Sequence, residues 1–418
     1  MSVDVVAKAL AAACGETREA AEADVVGAVG PSFVAAPSST DEAAAVMRVA
    51  AEHELAVVVR GAGGRLGWGT PPSRCDLLID MSRMSAVVEH SAGDLVARVQ
   101  AGARMGSVAL ALRNEGQELA LDVPDDATVG GVVASGLAGP RRLRYGTPRD
   151  LLIGITIVRA DGTVARSGGK VVKNVAGYDL GKLLAGSAGT LALITDATFR
   201  LHPLPAARVY VTAEYVSTGI ACDAVAAAAN SPLTASAVEL SRPEPDGPIR
   251  VGVLLEGSEE GVAARALRMA GLLGPAETSL EPPSWWRGAP SADGGTLVRV
   301  SCWVSALPIV LDAIDAAADS VGVRAAIGGS AGAGVLYLRF RPDVAAEKPT
   351  GFVRALRKAL SGRRGSVAVL AAPAAVREAL ADGGGMAGAV PGLALMRAVK
   401  DQFDPGHRLA PGRFPDAT

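Results

Sequence analysis

The chain has 418 residues, 49% hydrophobic and 20% charged, which is room for two or more domains and too apolar for a disordered protein. Its formal charge of −2 leaves no basic excess for nucleic acid or an acidic membrane surface. Aromatics make up 4% and glycines number 50, so Ala, Val and Leu must build the core, joined by glycine-dependent turns.

The N-terminus reads as an amphipathic helix over Val3–Ala13, apolar at Val5, Val6, Ala9 and Leu10. Asp4 and Lys8 interrupt its apolar positions, and Glu16, Arg18 and Glu19 follow, which is not the pattern of a signal peptide. No uncharged stretch reaches the roughly eighteen apolar residues that a membrane span needs. Cys14, Cys75, Cys222 and Cys302 lie far apart without a C-x-x-C pair. That spacing argues against a disulfide framework or an iron–sulfur cluster held by this chain alone, and for reduced thiols in the cytoplasm.

From about Phe33 to Pro205, short β-rich runs alternate with glycine clusters: Ala56–Arg60, Leu77–Asp80, Leu95–Ala101, Gly154–Arg159 and Leu191–Leu201. Helices are predicted over Asp41–His53 and Arg104–Asn114. After Pro203-Leu204-Pro205 the pattern changes. Strand, helix, strand, strand and helix are predicted at Arg208–Tyr215, Gly219–Ala229, Ala235–Leu240, Arg250–Leu255 and Glu259–Leu273. A linker from Gly274 to Gly295, with Trp285-Trp286, precedes a repeat of that order: Leu297–Val304, Pro308–Asp319, Val323–Ile327, Val335–Phe340 and Phe352–Ser361. Two similar βαββα halves are expected to form one α+β cap over 206–375, between a domain at 1–205 and a helical tail at 376–418 that packs back on that first domain.

Four segments carry the chemistry. The first runs from Val57 to Gly69, a β-branched strand leading into Gly61-Ala62-Gly63-Gly64-Arg65-Leu66-Gly67. Such glycines can turn successive N–H groups inward to meet an anion, or serve only as a tight turn. A Rossmann loop is excluded, because Leu66 stands where its last glycine belongs and Pro71-Pro72 prevents the following helix; Asp80, about twenty residues on, then carries little weight. The second, Asp125 to Pro140, is dense in small residues, which fits either a large flat ligand or close helix packing. In the third, Arg141 to Asp150, four arginines could neutralise a phosphate or carboxylate, or form a solvated turn. The fourth runs from Gly168 through Lys173-Asn174-Val175-Ala176-Gly177-Tyr178-Asp179 to Gly186-Ser187-Ala188-Gly189-Thr190-Leu191; here Asp179 could simply cap a short helix, Leu180–Leu184.

Taken in order, Arg60-Gly-x-Gly, Thr128-x-Gly-Gly, Arg144-Tyr-Gly, Lys173-Asn-Val-Ala-Gly-Tyr-Asp and Gly186-Ser-x-Gly-Thr-Leu resemble the PCMH-type FAD domain of the vanillyl-alcohol oxidase superfamily. The Lys173–Asp179 stretch looks like the FAD-binding subunit of glycolate oxidase. The ending, Phe403-Asp404-Pro405 with Ala410-Pro411-Gly412-Arg413, is similar to the Asn-Pro-Gly-Lys/Arg ending of these flavoproteins. The likeness is dense over about Pro31–Pro205, weak over the cap, and returns at the tail.

The resemblance implies an α+β fold in which two subdomains clamp an extended FAD beneath the cap. Implied cofactor contacts are Arg60 and Arg65, with Gly61, Ala62, Gly63 and Gly64 and Thr128, Gly130 and Gly131 meeting the pyrophosphate. Ser135, Gly136, Gly139, Arg144, Tyr145 and Gly146, with Asn174, Gly177 and Tyr178, would flank the adenosine or flavin, and Ile194 and Thr195 the adenine side. Covalent members attach the flavin through histidine in or near the first glycine loop; the histidines here are His53, His90, His202 and His407, so non-covalent FAD is expected. Related D-2-hydroxy-acid dehydrogenases carry histidines and a glutamate beside the flavin, whereas the stretch from Pro205 to Val376 has no histidine, so no metal site is expected. Arg144, Lys173 and Tyr178 are the candidates to grip a substrate carboxylate, and Tyr178 to move a proton, with Arg287, Arg339 and Arg341 as cap alternatives.

The expected function is an FAD-linked oxidoreductase subunit acting on glycolate or a related 2-hydroxy acid. It would sit in a hetero-oligomer with a second flavoprotein subunit and an iron–sulfur subunit that takes the electrons. The expected location is cytoplasmic, with the inner face of the membrane reached through partners. The alternatives are a non-catalytic FAD-binding or assembly subunit, and an independent flavin oxidase of other substrate.

Overall fold

The computed structural model describes residues 3–170, 179–244, 247–286, 288, 290–362 and 365–413. The chain packs as two compact units. One comprises Met1–Ala138, Thr147–Leu204 and Pro391–Thr418, the other Gly139–Gly146 and Pro205–Val390.

The first unit opens with α1 (Val3–Ala13), whose Val6 and Leu10 are buried. Strands β1 (Thr17–Glu19) and β2 (Phe33–Ala35), helix α2 (Thr40–Glu52), then β3 (Val57–Arg60) and β4 (Leu77–Asp80) follow. Ser39 starts α2 by accepting the Glu42 N–H at 3.1 Å. The sheet order is β1-β2-β4-β3, with β2, β4 and β3 parallel. Val57, Val58, Leu77, Leu78 and Ile79 are all buried, as the unbroken apolar runs of a doubly covered parallel sheet require.

Strands β5 (Val87–Ser91) and β6 (Val96–Gln100), helix α3 (Met105–Arg113), the short β7 (Gln117–Glu118) and α4 (Val129–Ser135) come next. After α5 (Arg142–Tyr145), which lies in the second unit, the chain adds α6 (Pro148–Leu151), β8 (Leu152–Val158), β9 (Val164–Gly168), α7 (Gly181–Leu184), β10 (Leu193–Arg200) and β11 (His202–Pro203). An antiparallel sheet of order β5-β6-β10-β8-β9 results. One core joins it to the parallel sheet, from Met47 and Ile79 on one side to Val99, Val133 and Phe199 on the other.

The second unit is one sheet of eight strands: β12 (Ala207–Tyr215), β13 (Ala237–Arg242), β14 (Ile249–Gly257), β15 (Ala276–Ser279), β16 (Thr296–Cys302), β17 (Ala326–Gly329), β18 (Val335–Phe340) and β19 (Gly365–Ala371). Its order, β15-β12-β14-β13-β17-β18-β16-β19, shows the internal repeat, since each half places its strands in the same sequence about the β13–β17 pair. Each half is therefore βαββαβ, one strand longer than the sequence pattern predicts. Helices α8 (Thr218–Ala229), α9 (Glu259–Leu273), α10 (Leu307–Val321) and α11 (Glu347–Leu360) share one core with residues of alternating parity such as Val251, Val253 and Leu255. Opposite parity puts Gly252, Leu254 and Glu256 on the other face. There a β-carbon at Gly252 would lie 2.7 Å from Trp285 and 2.9 Å from Trp286, so glycine makes room for the two indoles.

Two boundaries differ from those predicted. Residues 139–146 belong with the second unit because Leu143 packs on its core. The segment after 376 does too: Val376 and Leu380 of α12 (Ala374–Leu380) and the following Met386 are buried in that core, and the chain rejoins the first unit at Pro391. Beyond it, α13 (Leu393–Phe403) precedes a turn held by Lys400, whose Nζ is buried and donates to Thr190 O at 2.7 Å, Leu409 O at 3.2 Å and Asp404 Oδ2 at 2.5 Å.

Candidate functional site

The first glycine segment leaves β3 at Arg60, whose guanidinium pairs with Asp24 at 2.9 Å and Asp80 at 2.7 Å. Asp80 ends the neighbouring β4, so the guanidinium ties the ends of β3 and β4 to each other and to the turn that carries Asp24. The Asp80 that a Rossmann reading would place on a ribose is spent on the same tie. At Gly61 a β-carbon would lie 2.0 Å from Thr128 Oγ1, so the first and second motifs touch and only glycine fits. Past that contact the loop opens. Gly63 is left-handed at φ +79°, and a β-carbon on Gly64 would meet nothing within 4 Å. Turns close from Leu66 N–H to Gly63 O and from Trp68 N–H to Arg65 O, both at 3.1 Å.

Arg65 lies beside this loop with its guanidinium 5.3 Å from the Trp68 ring. Burial pushes its pKa down, and its Nε is buried without a hydrogen-bond partner. The glycine loop therefore carries one buried guanidinium donor that no protein atom satisfies, which fits an anionic group bound there. The tail closes the far side. Arg413 donates to Leu66 O at 2.5 Å and Trp68 O at 3.4 Å, while Ala410 N–H and Arg408 O each bond to Val57 at 2.8 Å.

Thr128 starts α4 by accepting the Gly131 N–H at 3.4 Å. Gly130 donates to Ala101 O at 2.7 Å, and a β-carbon there would meet Ala101 Cβ at 2.8 Å. Ser135 bonds back to Gly131 O at 2.7 Å. Gly136, at φ +64°, ends α4 against the Gly186 backbone; Gly186 N–H donates to Val133 O at 2.9 Å and Ala188 N–H to Ala134 O at 2.7 Å. The small residues of the second and fourth motifs thus serve close backbone packing between them. Ile194 and Thr195 are buried at a bulge in β10. The Thr195 hydroxyl lies 3.1 Å from Thr40 Oγ1 and 3.3 Å from Thr156 O, and its carbonyl accepts from Ala101 N–H at 2.9 Å.

The arginine turn belongs to the second unit. Glu256, 2% exposed on β14, accepts from Arg141 at 3.3 Å, Arg208 at 2.9 Å and the Tyr145 hydroxyl at 3.1 Å. Burial opposes its ionisation, but Arg141, Ser236 and Arg208 outweigh it and hold the carboxyl below its usual range. Burial, and then the charge of Glu256, pushes the Tyr145 phenol up to about 12. Arg142 donates to Tyr337 at 3.2 Å and Arg144 to Ser236 at 3.3 Å. Three of the four arginines of the segment are therefore held within the second unit, and Arg144 and Arg149 are its exposed ones. Glu256 escapes sequence reasoning because 115 residues separate it from Arg141.

Lys173, Asn174, Gly177 and Tyr178, with Arg287 of the cap, lie outside the described residues. Asp179 pairs with Lys182 at 3.1 Å and does not cap α7 with its side chain. His90 bonds Gln117 at 2.9 Å and the exposed His407 meets Asp401 at 3.0 Å, so both have structural partners. Among the described residues no group of three or more His, Cys, Asp and Glu could hold a metal, and no helix is long and apolar enough to cross a membrane. A shallow groove of about 590 Å³ lined by Thr40, Asp41, Val164 and Arg166 touches none of the four motifs.

Residues 31–168 match the FAD binding domain family. That segment carries an FAD binding domain. The sequence is similar to the glycolate oxidase subunit GlcD of Bacillus subtilis, 35% identical over 201 residues, 47% of this chain and 42% of that one. The glycolate oxidase subunit GlcE of Escherichia coli is 35% identical over 161 residues, 38% of this chain and 45% of that one. A D-lactate dehydrogenase of Archaeoglobus fulgidus is 37% identical over 175 residues, 41% and 38% respectively. The chain spans less than half the length of these curated relatives. Among solved structures, p-cresol methylhydroxylase shares the fold with a TM-score of 0.73 at 17% identity, over 99% of this chain and 96% of that one.

Proposed function

We propose that this chain is an FAD-dependent oxidoreductase subunit that oxidises glycolate or a related 2-hydroxy acid and passes the electrons to an iron–sulfur partner. The observation that carries the cofactor reading is the closure of Gly61 on Thr128, with the Gly63–Gly64 backbone open beside the unpartnered Arg65 Nε. Similarity to two glycolate oxidase subunits and a D-lactate dehydrogenase supports the substrate class and a multi-subunit setting.

FAD, when bound, supplies the acceptor for a hydride. The residues of this chain bind and orient. Backbone amides at Gly61–Gly64, with Arg65, would hold the pyrophosphate against the small residues Gly130 and Gly131, and Ser135–Gly136 and Ile194–Thr195 would flank the adenosine. FAD stays non-covalent, because neither Cys nor His occurs from Arg60 to Gly69. Arg144, Lys173 and Tyr178 are the candidates for gripping the substrate carboxylate, and Tyr178 for moving the hydroxyl proton. A second flavoprotein subunit and an iron–sulfur subunit complete the assembly, in the cytoplasm or at the membrane's inner face through those partners.

The test is to purify the chain and add glycolate, D-lactate and L-lactate separately without oxygen. Bleaching of the flavin band by one of them supports the reading. Flavin that stays oxidised with all three, alone and with co-purified partners, contradicts it. The absence of histidine from Pro205 to Val376 favours one competing reading, a non-catalytic FAD-binding subunit, which predicts that second result.

A further inference from the structure

We infer that Glu256 is a positioning residue for the Arg141–Gly146 turn, a buried carboxylate that fixes Tyr145 and, through Ser236, Arg144 in one orientation. The inference deepens the proposed function, since it rests on the substrate-binding role proposed there for Arg144. The turn cannot hold its own shape. Its helix, α5, has four residues, closed by Tyr145 N–H to Arg141 O and Gly146 N–H to Arg142 O, both at 3.0 Å. So short a helix is unstable by itself. Its apolar anchor is Leu143, which packs against the core of the second unit and is only partly buried. Direction must come from polar contacts.

Glu256 supplies them from one point. One oxygen accepts from Arg141 at 3.3 Å and Arg208 at 2.9 Å, the other from Tyr145 at 3.1 Å. Ser236, fully buried, hydrogen-bonds Glu256 and accepts from Arg144 at 3.3 Å. The Tyr145 ring lies 5.6 Å from the Arg141 guanidinium and 5.4 Å from that of Arg144, so rotation of the phenol disturbs both. A buried charge is weak evidence for stability, because an apolar residue such as Leu254, two positions earlier on the same face, serves packing as well. What a carboxylate adds is fixed geometry for several donors at once.

The test compares the FAD-loaded full chain with its Glu256→Gln and Tyr145→Phe variants in two measurements. The first is limited trypsin digestion, scored by mass spectrometry for cleavage after Arg141, Arg142 or Arg144. Glu256→Gln is expected to raise cleavage there about tenfold with other sites unchanged, and Tyr145→Phe about threefold, since cleavage follows local opening. The second is steady-state oxidation of the 2-hydroxy acid, in which Glu256→Gln should raise KM roughly tenfold with kcat within about twofold. Its effect should be non-additive with that of Arg144→Lys. Unchanged cleavage in the turn overturns the inference, as does full additivity with Arg144→Lys. If Glu256→Gln does not fold, Tyr145→Phe decides the digestion arm alone, and parental cleavage in it overturns the inference. If the unaltered chain is reduced by no 2-hydroxy acid, the functional reading fails, while digestion still judges the positioning.

Discussion

Gly61 is the residue on which the cofactor reading bears hardest, because an added methyl group would sit 2.0 Å from Thr128 Oγ1 and force two motifs apart. Overpacking of this kind costs about 1–3 kcal/mol. Gly61→Ala is therefore expected to weaken FAD binding by about tenfold in a fluorescence titration; unchanged affinity would show that this contact does not shape the cradle. Asp24 acts at the same strand end for a different reason. It is buried between Arg18 at 2.6 Å and Arg60 at 2.9 Å. Arg18 above all, with the Ala21 N–H and Arg60, outweighs burial and holds its carboxyl well below the usual carboxylate range. A folded pKa below the unfolded one means stability that is fully present above about pH 4 and lost as pH falls through the folded value. Asp24→Asn should cost about 1–3 kcal/mol at neutral pH. In thermal melts the gap to the parent should close as pH drops below about 4; a gap independent of pH would contradict the ion-pair account.

At the scale of elements, the tail is the piece whose contribution is easiest to isolate. The buried Lys400 satisfies its three donors on Asp404, Thr190 and Leu409, and from that anchor the chain runs beside β3 to place Arg413 on the glycine loop. Removing one partner of a buried ion pair costs about 3–5 kcal/mol. Lys400→Met should lose about that in denaturant melts and speed hydrogen exchange over residues 405–413; full protection of that stretch would show that it is held by other means. Elements with an apolar stripe were legible in the sequence. Glu259–Leu273 and Val335–Phe340 fall where periodicity predicts them, since burial of one face enforces a period. In the second unit two strands escaped. Ala276–Ser279 is an edge strand with an exposed, polar sequence, so it reads as linker. Gly365–Ala371 begins with Gly-Ser behind two arginines, which hides the alternation of Val367 and Val369.

At the scale of the whole molecule, contacts that join distant segments separate what sequence can supply from what it cannot. The motif order identified the cofactor class, because glycines at fixed offsets reflect backbone approach that no other residue allows. The same reasoning offered Arg60 as a cofactor contact, and its partners within the chain, Asp24 and Asp80, carry no local signal. The turn at 139–146 likewise sits inside the FAD-domain motifs in sequence and on the cap in space, held by one glutamate more than a hundred residues away. The claim on which the rest depends is that the chain binds FAD, and without a covalent link. The most direct measurement is the visible spectrum of the purified chain, followed by acid precipitation and identification of any flavin in the supernatant. The account predicts a yellow protein that releases stoichiometric FAD. A colourless protein that takes up no added FAD, or flavin that stays with the precipitate, would contradict it.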